Sequence, residues 1–534
     1  MTWWDESDDF SGADAAPIPP RFPEHEVPPV PADLAELAAF SRDAARRLDH
    51  VSSWRAVTAF ARSHWLDESA SADVPEDLLG EYHALRHAAA DQLELPDEAE
   101  AARTEWLDWA LRTNRPAAAF HARSFGAFAE AERFIDETPA PARPMDSQVP
   151  QLTSLTRDIL DLRPTGAEAY QFALSAAVAG AAASLGRRPD LADALACWSA
   201  EHAPKRSGDD DRRLLEAQLA HCRGDLAASA RICAEVAADP KSEPVTSTIE
   251  ARQMLSHLCL EAEEPEEAAR QLEPVVTVGL ELDLVVGTLR SARLRAALLN
   301  SFGRFAEAAE LTGAALDAAA GMPVNPLVMD LRLILARSLL DAGENTGALE
   351  HAVPVAHWSS LTSDEERTDA AFTIAATAAG RSGDPHRAAD LLIEHAEHLH
   401  RLGDDSGASR ALRQAARSAV HEDPERAEDL MIDARELVTS GWSIADWHDD
   451  LAYIYWVSGR EDLALGHVDT AAAGYLEAGD GEEAARALLT GVRSCLDRDD
   501  ADGARRYAAR IDELLPDAAW SGHPVRQMLE ELLG

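Results

Sequence analysis

The sequence predicts an all-α protein, a right-handed α-solenoid of antiparallel helix hairpins with a small helical bundle at its N-terminal end. Three observations favour this fold: a short turn recurs about every 40 residues, the segments between turns carry Leu and Ala at helical spacing, and no segment reads as a β-strand. A fixed period of this size is typical of stacked units that bury their apolar faces only against their neighbours.

The recurring turns set the length of the repeat. Their intervals are nearly constant along the chain, and the segments between them suit helices made of good helix formers. The turn residues are Gly186, Gly224, Glu264, Gly303, Gly343, Gly383, Asp423, Gly459 and Asp499. An acidic residue often follows the turn, as Asp225 follows Gly224, where it can cap the second helix of the pair.

Alanine stands at fixed distances on both sides of these turns. The alanines seven residues before a turn are Ala217, Ala296, Ala336, Ala376 and Ala452. Those five residues after a turn are Ala269, Ala308, Ala348, Ala388, Ala464 and Ala504. Two helices joined by a tight turn can cross closely only where neither carries a bulky side chain. We therefore expect these methyl groups to be buried at the crossing point of each hairpin.

The N-terminal segment, residues 1–31, differs in composition from the rest of the chain. It combines acidic residues with seven prolines, so it cannot bury enough apolar area to offset the entropy of ordering. We predict that this segment forms a disordered acidic tail. Trp3, Trp4 and Phe10 lie among its acids, and they indicate either a plain unstructured terminus or a short motif that docks on another protein.

Three further regions follow the tail. Residues 32–137 carry apolar side chains at three- and four-residue spacing, which predicts an N-terminal helical domain. Residues 138–150 contain several prolines that forbid a continuous helix, and they form the predicted linker. Residues 151–534 form the predicted repeat solenoid.

Charge and targeting limit the classes of partner and the compartment. Lys and Arg total 49 and Asp and Glu total 95, for a net charge of −46. A field of this sign repels phosphate backbones and anionic lipid, so the sequence predicts neither nucleic-acid nor membrane binding. The five cysteines form no CxxC pair, and the N-terminus lacks the features of a secretory signal. We expect a cytoplasmic protein.

Motifs of catalysis and cofactor binding are missing from the sequence. It contains no phosphate-binding GxxxxGK[ST] loop, no GxGxxG after a strand, no HExxH and no GxSxG. His395 and His398 could meet on one helical face, but a solvated polar face is favoured over a metal site there, and also at His448, Asp449 and Asp450. The sequence therefore predicts no enzyme activity, no cofactor and no metal.

The small, aromatic and turn positions resemble the tetratricopeptide repeat. The matching sets are Ala296, Leu299, Gly303, Phe305, Ala308 and Ala315; Ala452, Tyr455, Gly459, Ala464 and Ala471; and Ala472, Tyr475, Gly479 and Ala484. The turn of the third set follows that of the second by only half the usual interval, so one helix serves two pairs. The chain departs from the family in its period, about 40 residues instead of about 34, and in lacking most of the prolines that close a repeat.

The resemblance implies a binding groove, because the first helix of each tetratricopeptide pair lines the concave surface on which peptides lie. By position, the groove would include Arg290, Arg293, Asn300, Arg337, Thr373 and Thr377. The arginines could bind carboxylates of a partner, or they could neutralise acids of this chain such as Glu281 and Asp330. The Lys and Asn pairing with which some family members hold a terminal carboxylate is missing.

A second candidate site lies further along the chain. Asp446, Asp449, Tyr453 and Trp456 are placed on the groove side, a mixture suited to a peptide with apolar and basic side chains. The alternative is that these aromatic residues belong to the core.

These features predict a scaffold or adaptor that binds a protein or peptide along the concave face. The alternative function is the sensor or regulatory arm of a bacterial signalling or transcription system whose output domain is on another chain. The sequence indicates neither the identity of the partner nor the oligomeric state.

Overall fold

A computed structural model describes most of the chain. The described residues are 36–41, 50–65, 76–92, 95–137, 150–163, 168–185, 188–202, 213–214, 216–217, 220–221, 224–238, 245–281, 285–320, 322, 324–362, 364–438, 441–514 and 524–533. No strand occurs among them, and helices joined by a tight turn pack against each other. The predicted all-α fold of antiparallel helix hairpins is therefore confirmed.

The chain divides into two compact units, Met1–Ile334 and Leu335–Gly534. The helices that begin in the first unit are α1 (His50–Trp65), α2 (Glu76–Gln92), α3 (Pro96–Arg112), α4 (Pro116–Glu137), α5 (Pro150–Leu160), α6 (Glu168–Leu185), α7 (Pro189–His202), α8 (Leu226–Ala238), α9 (Val245–Glu261), α10 (Pro265–Glu281), α11 (Val285–Ser301), α12 (Phe305–Ala318) and α13 (Pro326–Asp341). The division falls inside α13.

The second unit continues the succession of helices. They are α14 (Asn345–Thr362), α15 (Glu365–Arg381), α16 (Pro385–Leu402), α17 (Asp405–Ala419), α18 (Pro424–Glu436), α19 (Gly441–Val457), α20 (Glu461–Glu477), α21 (Gly481–Asp497), α22 (Ala501–Leu514) and α23 (Pro524–Leu533). Successive helices from α14 to α22 lie against one another wherever a short turn joins them. None of the helices in the described ranges combines the length and apolarity needed to cross a bilayer.

The turn between α15 and α16 shows how two residues end one helix and begin the next. Gly383 has φ +80°, a left-handed conformation that glycine adopts without steric cost. The N–H of Asp384 donates to the carbonyl of Ala379 at 3.0 Å and closes α15 in a Schellman motif. The Asp384 carboxylate then accepts a hydrogen bond from the N–H of Arg387 at 2.9 Å, which caps α16 just before Pro385.

Tight turns are more frequent than the predicted period allows. Gly403 also has a positive φ of +85°, and it lies midway between the predicted turns at Gly383 and Asp423. Gly479, with φ +82°, divides the interval from Gly459 to Asp499 in the same way. In these two stretches the structural unit is thus a single helix with its turn, half the predicted period, because tight turns occur at both ends of a helix. The resemblance to the tetratricopeptide repeat indicates such a helix, with a tight turn at each end, only before Gly479.

The alanines that flank the turns are buried, as predicted. Their exposed fractions are 0% for Ala217, Ala296, Ala336, Ala452, Ala308, Ala348 and Ala464, 1% for Ala504, 2% for Ala388, 6% for Ala269 and 7% for Ala376. Glycine allows a still closer approach between α19 and α20. A Cβ at Gly474 would lie 2.8 Å from the Cβ of Ala445, so no larger residue fits there without movement.

Replacing Ala308 with Leu is expected to lower the free energy of unfolding by about 1–3 kcal/mol, because the added carbons overpack the crossing of α11 and α12. Ala306, on the same helix, is exposed, and Ala306→Leu provides the matched control. Urea denaturation followed by far-UV circular dichroism measures both variants. Equal stability of the two variants would contradict the crossing geometry.

The helices on the two sides of the predicted linker share a hydrophobic cluster within the first unit. Ala127 and Ala131 of α4 pack with Leu155 of α5, Phe172 of α6 and Trp198 of α7. The tail at 1–31 and nearly all of the linker at 138–150 lie outside the described residues, as do Trp3, Trp4 and Phe10. The domain boundaries therefore stay predictions.

Candidate functional site

One face of α19 carries a row of polar and aromatic side chains. Asp446, Asp449, Tyr453 and Trp456 follow one another at spacings of three or four residues, which places them on one side of a helix, and Asp450 lies beside Asp449. All five are half-buried. The helices on either side of this face are α17 and α21, which are the first helices of the neighbouring pairs.

Arg413 of α17 joins this row through a buried ion-pair cluster. Its guanidinium donates to the carboxylates of Asp446 and Asp450, which lie one helical turn apart. The three side chains are only 10%, 18% and 13% exposed. Burial acts to lower the pKa of Arg413, but the carboxylates of Asp450 and Asp446 outweigh it and raise that pKa above its ordinary value. The arginine is therefore a fixed charge that orients both carboxylates.

Arg417 extends the contact by one turn of α17. Its Nη1 lies 2.8 Å from Oδ1 of Asp450, and its Cζ lies 4.2 Å from the ring centroid of Tyr453. The second contact has the geometry of a cation–π interaction, which holds the tyrosine ring against the guanidinium. Arg417 remains 45% exposed, so this part of the surface stays open to solvent.

Trp456 connects the other end of the row to α21. Its indole Nε1 donates to Oδ2 of Asp497 at 2.6 Å, and Cζ of Arg493 lies 5.5 Å from its ring. The rings of Tyr453 and Trp456 meet edge to face, with centroids 5.8 Å apart. We call the side chains of α17, α19 and α21 that form this surface the first-helix surface. Its members are Arg413, Arg417, Asp446, Asp449, Asp450, Tyr453, Trp456, Arg486, Arg493 and Asp497.

Asp446 has a partner on each of its two carboxylate oxygens, Arg413 on one and Tyr475 on the other. Tyr475 of α20 is fully buried, and its hydroxyl donates to Oδ1 of Asp446 at 3.0 Å. Burial and then the neighbouring carboxylates raise the pKa of Tyr475, so its hydroxyl stays protonated and remains a donor. This hydrogen bond couples the first-helix surface to the core between α19, α20 and α21.

Asp449 differs from its two acidic neighbours. None of the described residues donates a hydrogen bond to its carboxylate or forms an ion pair with it. Burial, and then the negative charge of Asp450, raise its pKa to about 7, although Arg486 and Arg417 act in the opposite direction. Asp449 is thus a carboxyl group poised to ionise near neutral pH with no partner of its own in the described part of the chain.

The predicted site further towards the N-terminus is divided between the two units. Arg290, Arg293 and Asn300 lie in the first unit, whereas Arg337, Thr373 and Thr377 lie in the second. The arginines are engaged within this chain: the contacts are Arg290 Nη2 to the carbonyl of Asp91 at 3.4 Å, Arg293 Nη1 to Asp330 at 2.7 Å and Arg337 Nε to Asp341 at 2.7 Å. The Arg293–Asp330 pair agrees with the alternative interpretation, in which these arginines neutralise acidic residues of this chain and do not bind carboxylates of a partner.

The other polar residues of that predicted site are half-buried or exposed. Asn300 is half-buried on α11, Thr373 is exposed, and the hydroxyl of Thr377 donates to the carbonyl of Thr373 at 2.7 Å. The last contact is an internal bond of the helix. A binding role for the six residues stays a prediction.

The interpretation of the histidine cluster as a solvated face was wrong for two of its members. His395 and His398 are only 4% and 3% exposed, and the ring of His395 stacks on Phe372 at 5.1 Å. Burial lowers the pKa of both, so they act as neutral core residues. His400 is exposed, and its Nδ1 lies 2.7 Å from Asp405.

His448, Asp449 and Asp450 are half-buried. His448 stacks on His467 of α20, and their Nδ1 atoms are 2.7 Å apart. No group of three or more potential metal ligands comes together in the part of the chain that the structure describes.

Four arginines of the first-helix surface were missed by sequence reasoning. They are Arg413, Arg417, Arg486 and Arg493. The i, i+4 spacing of the first two on α17 was a visible signal, but arginine pairs of that spacing occur on many solvated helices. Only the contact between α17 and α19 distinguishes Arg413 and Arg417 from arginine pairs on a solvated helix.

Alternate helices of the second unit touch one another, α17 with α19 and α19 with α21, while each also packs against the helix that follows it. Together with buried alanines at the hairpin crossings, this is the arrangement of tandem tetratricopeptide-type pairs. The chain has a tetratricopeptide-like helical repeat fold.

Comparison with known proteins identifies no close relative of this tetratricopeptide-like chain. No protein-family model matches it. No curated protein matches its sequence either.

Comparison with solved structures gives matches of low similarity, of which three are described. The apo form of RapI is 12% identical, with TM-score 0.34, over 73% of this chain and 97% of RapI. A Rap protein complexed with competence and sporulation factor is 11% identical, with TM-score 0.26, over 78% and 99% of the two chains. In the Cut9–Hcn1 hetero-tetramer of the APC/C, the matched chain is 12% identical, with TM-score 0.20, over 94% and 96%. At these values the similarity indicates no shared partner or activity.

Proposed function

We propose that the protein is a non-enzymatic scaffold that binds a segment of a partner protein along the first-helix surface of α17, α19 and α21. The observation that carries this proposal is continuity. Arg413 and Arg417 join α17 to α19, and the indole of Trp456 joins α19 to α21, so three helices present one surface. A partner segment that crosses these helices would meet all of them.

The chemistry of this surface suits protein recognition. Tryptophan, tyrosine and arginine are the residue types that contribute most to binding at protein interfaces, since they combine large apolar area with directed polar groups. Tyr453 and Trp456 are already held in place by Arg417 and Asp497, so little side-chain entropy is lost when they bind. Trp442, on the same helix, is 44% exposed and offers a further aromatic contact.

The charge of the chain narrows the class of partner. A net charge of −46 disfavours approach of nucleic acid and of anionic membranes, and it accelerates encounter with cationic proteins. The proposed partner is accordingly a protein or peptide, and the proposed binding needs no cofactor.

A photo-crosslinking amino acid at position 453 tests the proposed surface in lysate of the source organism. We expect a defined crosslinked partner that mass spectrometry identifies and that is lost when Trp456 is replaced with Ala. Leu463 of α20 is 48% exposed and outside the surface, so a crosslinker at position 463 is the matched control.

Crosslinking of equal yield at positions 453 and 463, or a partner unaffected by Trp456→Ala, would contradict binding at the first-helix surface. The domains of the crosslinked partner distinguish a scaffold or adaptor function from the alternative function of a regulatory arm. A DNA-binding or catalytic output domain on the crosslinked chain would favour the regulatory arm of a signalling or transcription system.

A further inference from the structure

Three acidic residues on α19 occupy adjacent turns but have different environments. Asp446 accepts hydrogen bonds from Arg413 and the Tyr475 hydroxyl, and Asp450 accepts from Arg413 and Arg417. A carboxylate offers about four lone-pair positions to donors, and Asp446 and Asp450 each have one donor on each of their two oxygens. Asp449, between them, receives no hydrogen bond from any residue that the structure describes.

The nearest cations do not satisfy Asp449 because they are committed elsewhere. Arg486 forms an ion pair with Glu483 on its own helix, and Arg417 pairs with Asp450. The ionised groups that surround the position are the arginines Arg413, Arg417 and Arg486 and the carboxylates Asp446, Asp449, Asp450 and Glu483. When Asp449 is ionised, this set has one more negative than positive charge.

A carboxyl group that is withdrawn from water without a partner lowers the stability of the fold. Asparagine or an apolar residue at this position would remove that cost while keeping the helix. The neighbours of Asp449 on the surface are Tyr453, one turn further along α19, and Trp456 beyond it. An unpaired carboxylate one helical turn from Tyr453, whose ring meets that of Trp456, matches a cationic side chain with an apolar neighbour.

We propose that Asp449 is the receptor for a lysine or arginine side chain of the bound segment, with Tyr453 and Trp456 receiving the residue next to it. The inference rests on the proposed function, since it names the chemistry that the first-helix surface recognises. The incoming cation completes the charge balance of the cluster and supplies the donors that Asp449 lacks. The chain's overall negative charge attracts such a segment from a distance.

The proposed contact depends on pH in a defined direction. Only the ionised carboxylate pairs with a cation, and the pKa of Asp449 is raised to about 7. Affinity should therefore fall as pH is lowered from 8 to 6, by up to about tenfold for each unit below the pKa. The charged and polar groups that face Asp449 are Arg417 of α17, Asp446 and Asp450 of α19, Tyr475 of α20 and Arg486 of α21.

Fluorescein-labelled nonapeptide libraries test the proposal with the full-length protein. The flanking positions are randomised and include aromatic and aliphatic residues, and the central residue is Arg, Lys, Gln or Glu. Fluorescence anisotropy at pH 8 should show the Arg and Lys libraries binding at least tenfold more tightly than the Gln and Glu libraries. Asp449→Asn should remove this preference, whereas Asp462→Asn, at a residue of α20 that is 85% exposed, should keep it.

Three outcomes would overturn the inference: equal binding of all four libraries, no binding of any library, or an undiminished preference for basic residues in Asp449→Asn. A melting temperature of Asp449→Asn at pH 8 no lower than that of the unmodified protein establishes that the variant is folded. Crosslinking at position 453 separates the two proposals. If position 453 still captures the partner but the protein does not prefer the Arg and Lys libraries, the scaffold function stands and the role proposed for Asp449 is wrong.

Discussion

Replacing Arg413 with Met is expected to lower the local free energy of unfolding of α17 and α19 by about 3–5 kcal/mol. Arg413 is 10% exposed and is the cation shared by Asp446 and Asp450. Methionine fills a similar volume, but it leaves two largely buried carboxylates without their common partner. Arg417 reaches only Asp450, so it cannot replace the lost contact at Asp446.

Native-state hydrogen exchange followed by mass spectrometry measures this effect helix by helix, which suits a repeat array in which stability is local. Arg498→Met is the matched control, because its ion pair with Asp462 is exposed at 39% and 85% and surface pairs contribute about 0–1 kcal/mol. Equal losses for the two variants would mean that Arg413 is not the organising charge of the first-helix surface.

Replacing Tyr475 with Ala is expected to lower the free energy of unfolding by about 3–5 kcal/mol. Tyr475 is among the largest side chains that are fully buried, and its ring packs in the cluster that joins α19, α20 and α21. The truncation creates a cavity in that cluster and removes a hydrogen bond from Asp446. Hydrogen exchange in α19–α21 and the midpoint of urea denaturation measure the loss.

Tyr475→Phe separates the two contributions, because it keeps the ring and removes only the hydroxyl that Asp446 accepts from. We expect a loss of about 1.5–3 kcal/mol for this variant, in line with the removal of one hydrogen bond to a charged group. If Tyr475→Ala were no more destabilising than Tyr475→Phe, the ring would not be a core residue and the packing of α20 between α19 and α21 would be wrong.

The helices and their turns were largely predictable from the sequence. Gly383 and Asp384 carry their own conformational preferences, positive φ for one and a helix cap for the other, and these act within a few residues. The alanines at the hairpin crossings were predictable for a related reason, since a tight turn determines which residues of the two helices must meet. Gly403 does not stand out in the sequence, because it lies inside the regular interval between the turns at Gly383 and Asp423.

The candidate site was predictable only in part. The spacing of Asp446, Asp449, Tyr453 and Trp456 placed them on one side of a helix, and the structure keeps them there. The sequence predicts a solvated face for the histidines at 395 and 398, because imidazoles among acids are polar, yet their neighbours bury them. Polarity of a side chain does not reveal which face of its helix the adjacent helices will cover.

The sequence by itself determined where this chain is helical, where it turns and which small residues face each other within a hairpin, because these depend on interactions over a few residues or one turn. Only the tertiary structure decided which charges meet. Arg413 of α17 finds Asp446 and Asp450 two helices further along the chain, whereas Asp449, next to Asp450, finds no partner in the described structure. The stacking of alternate helices makes that difference, since it fixes the distance and direction between side chains that the sequence places far apart.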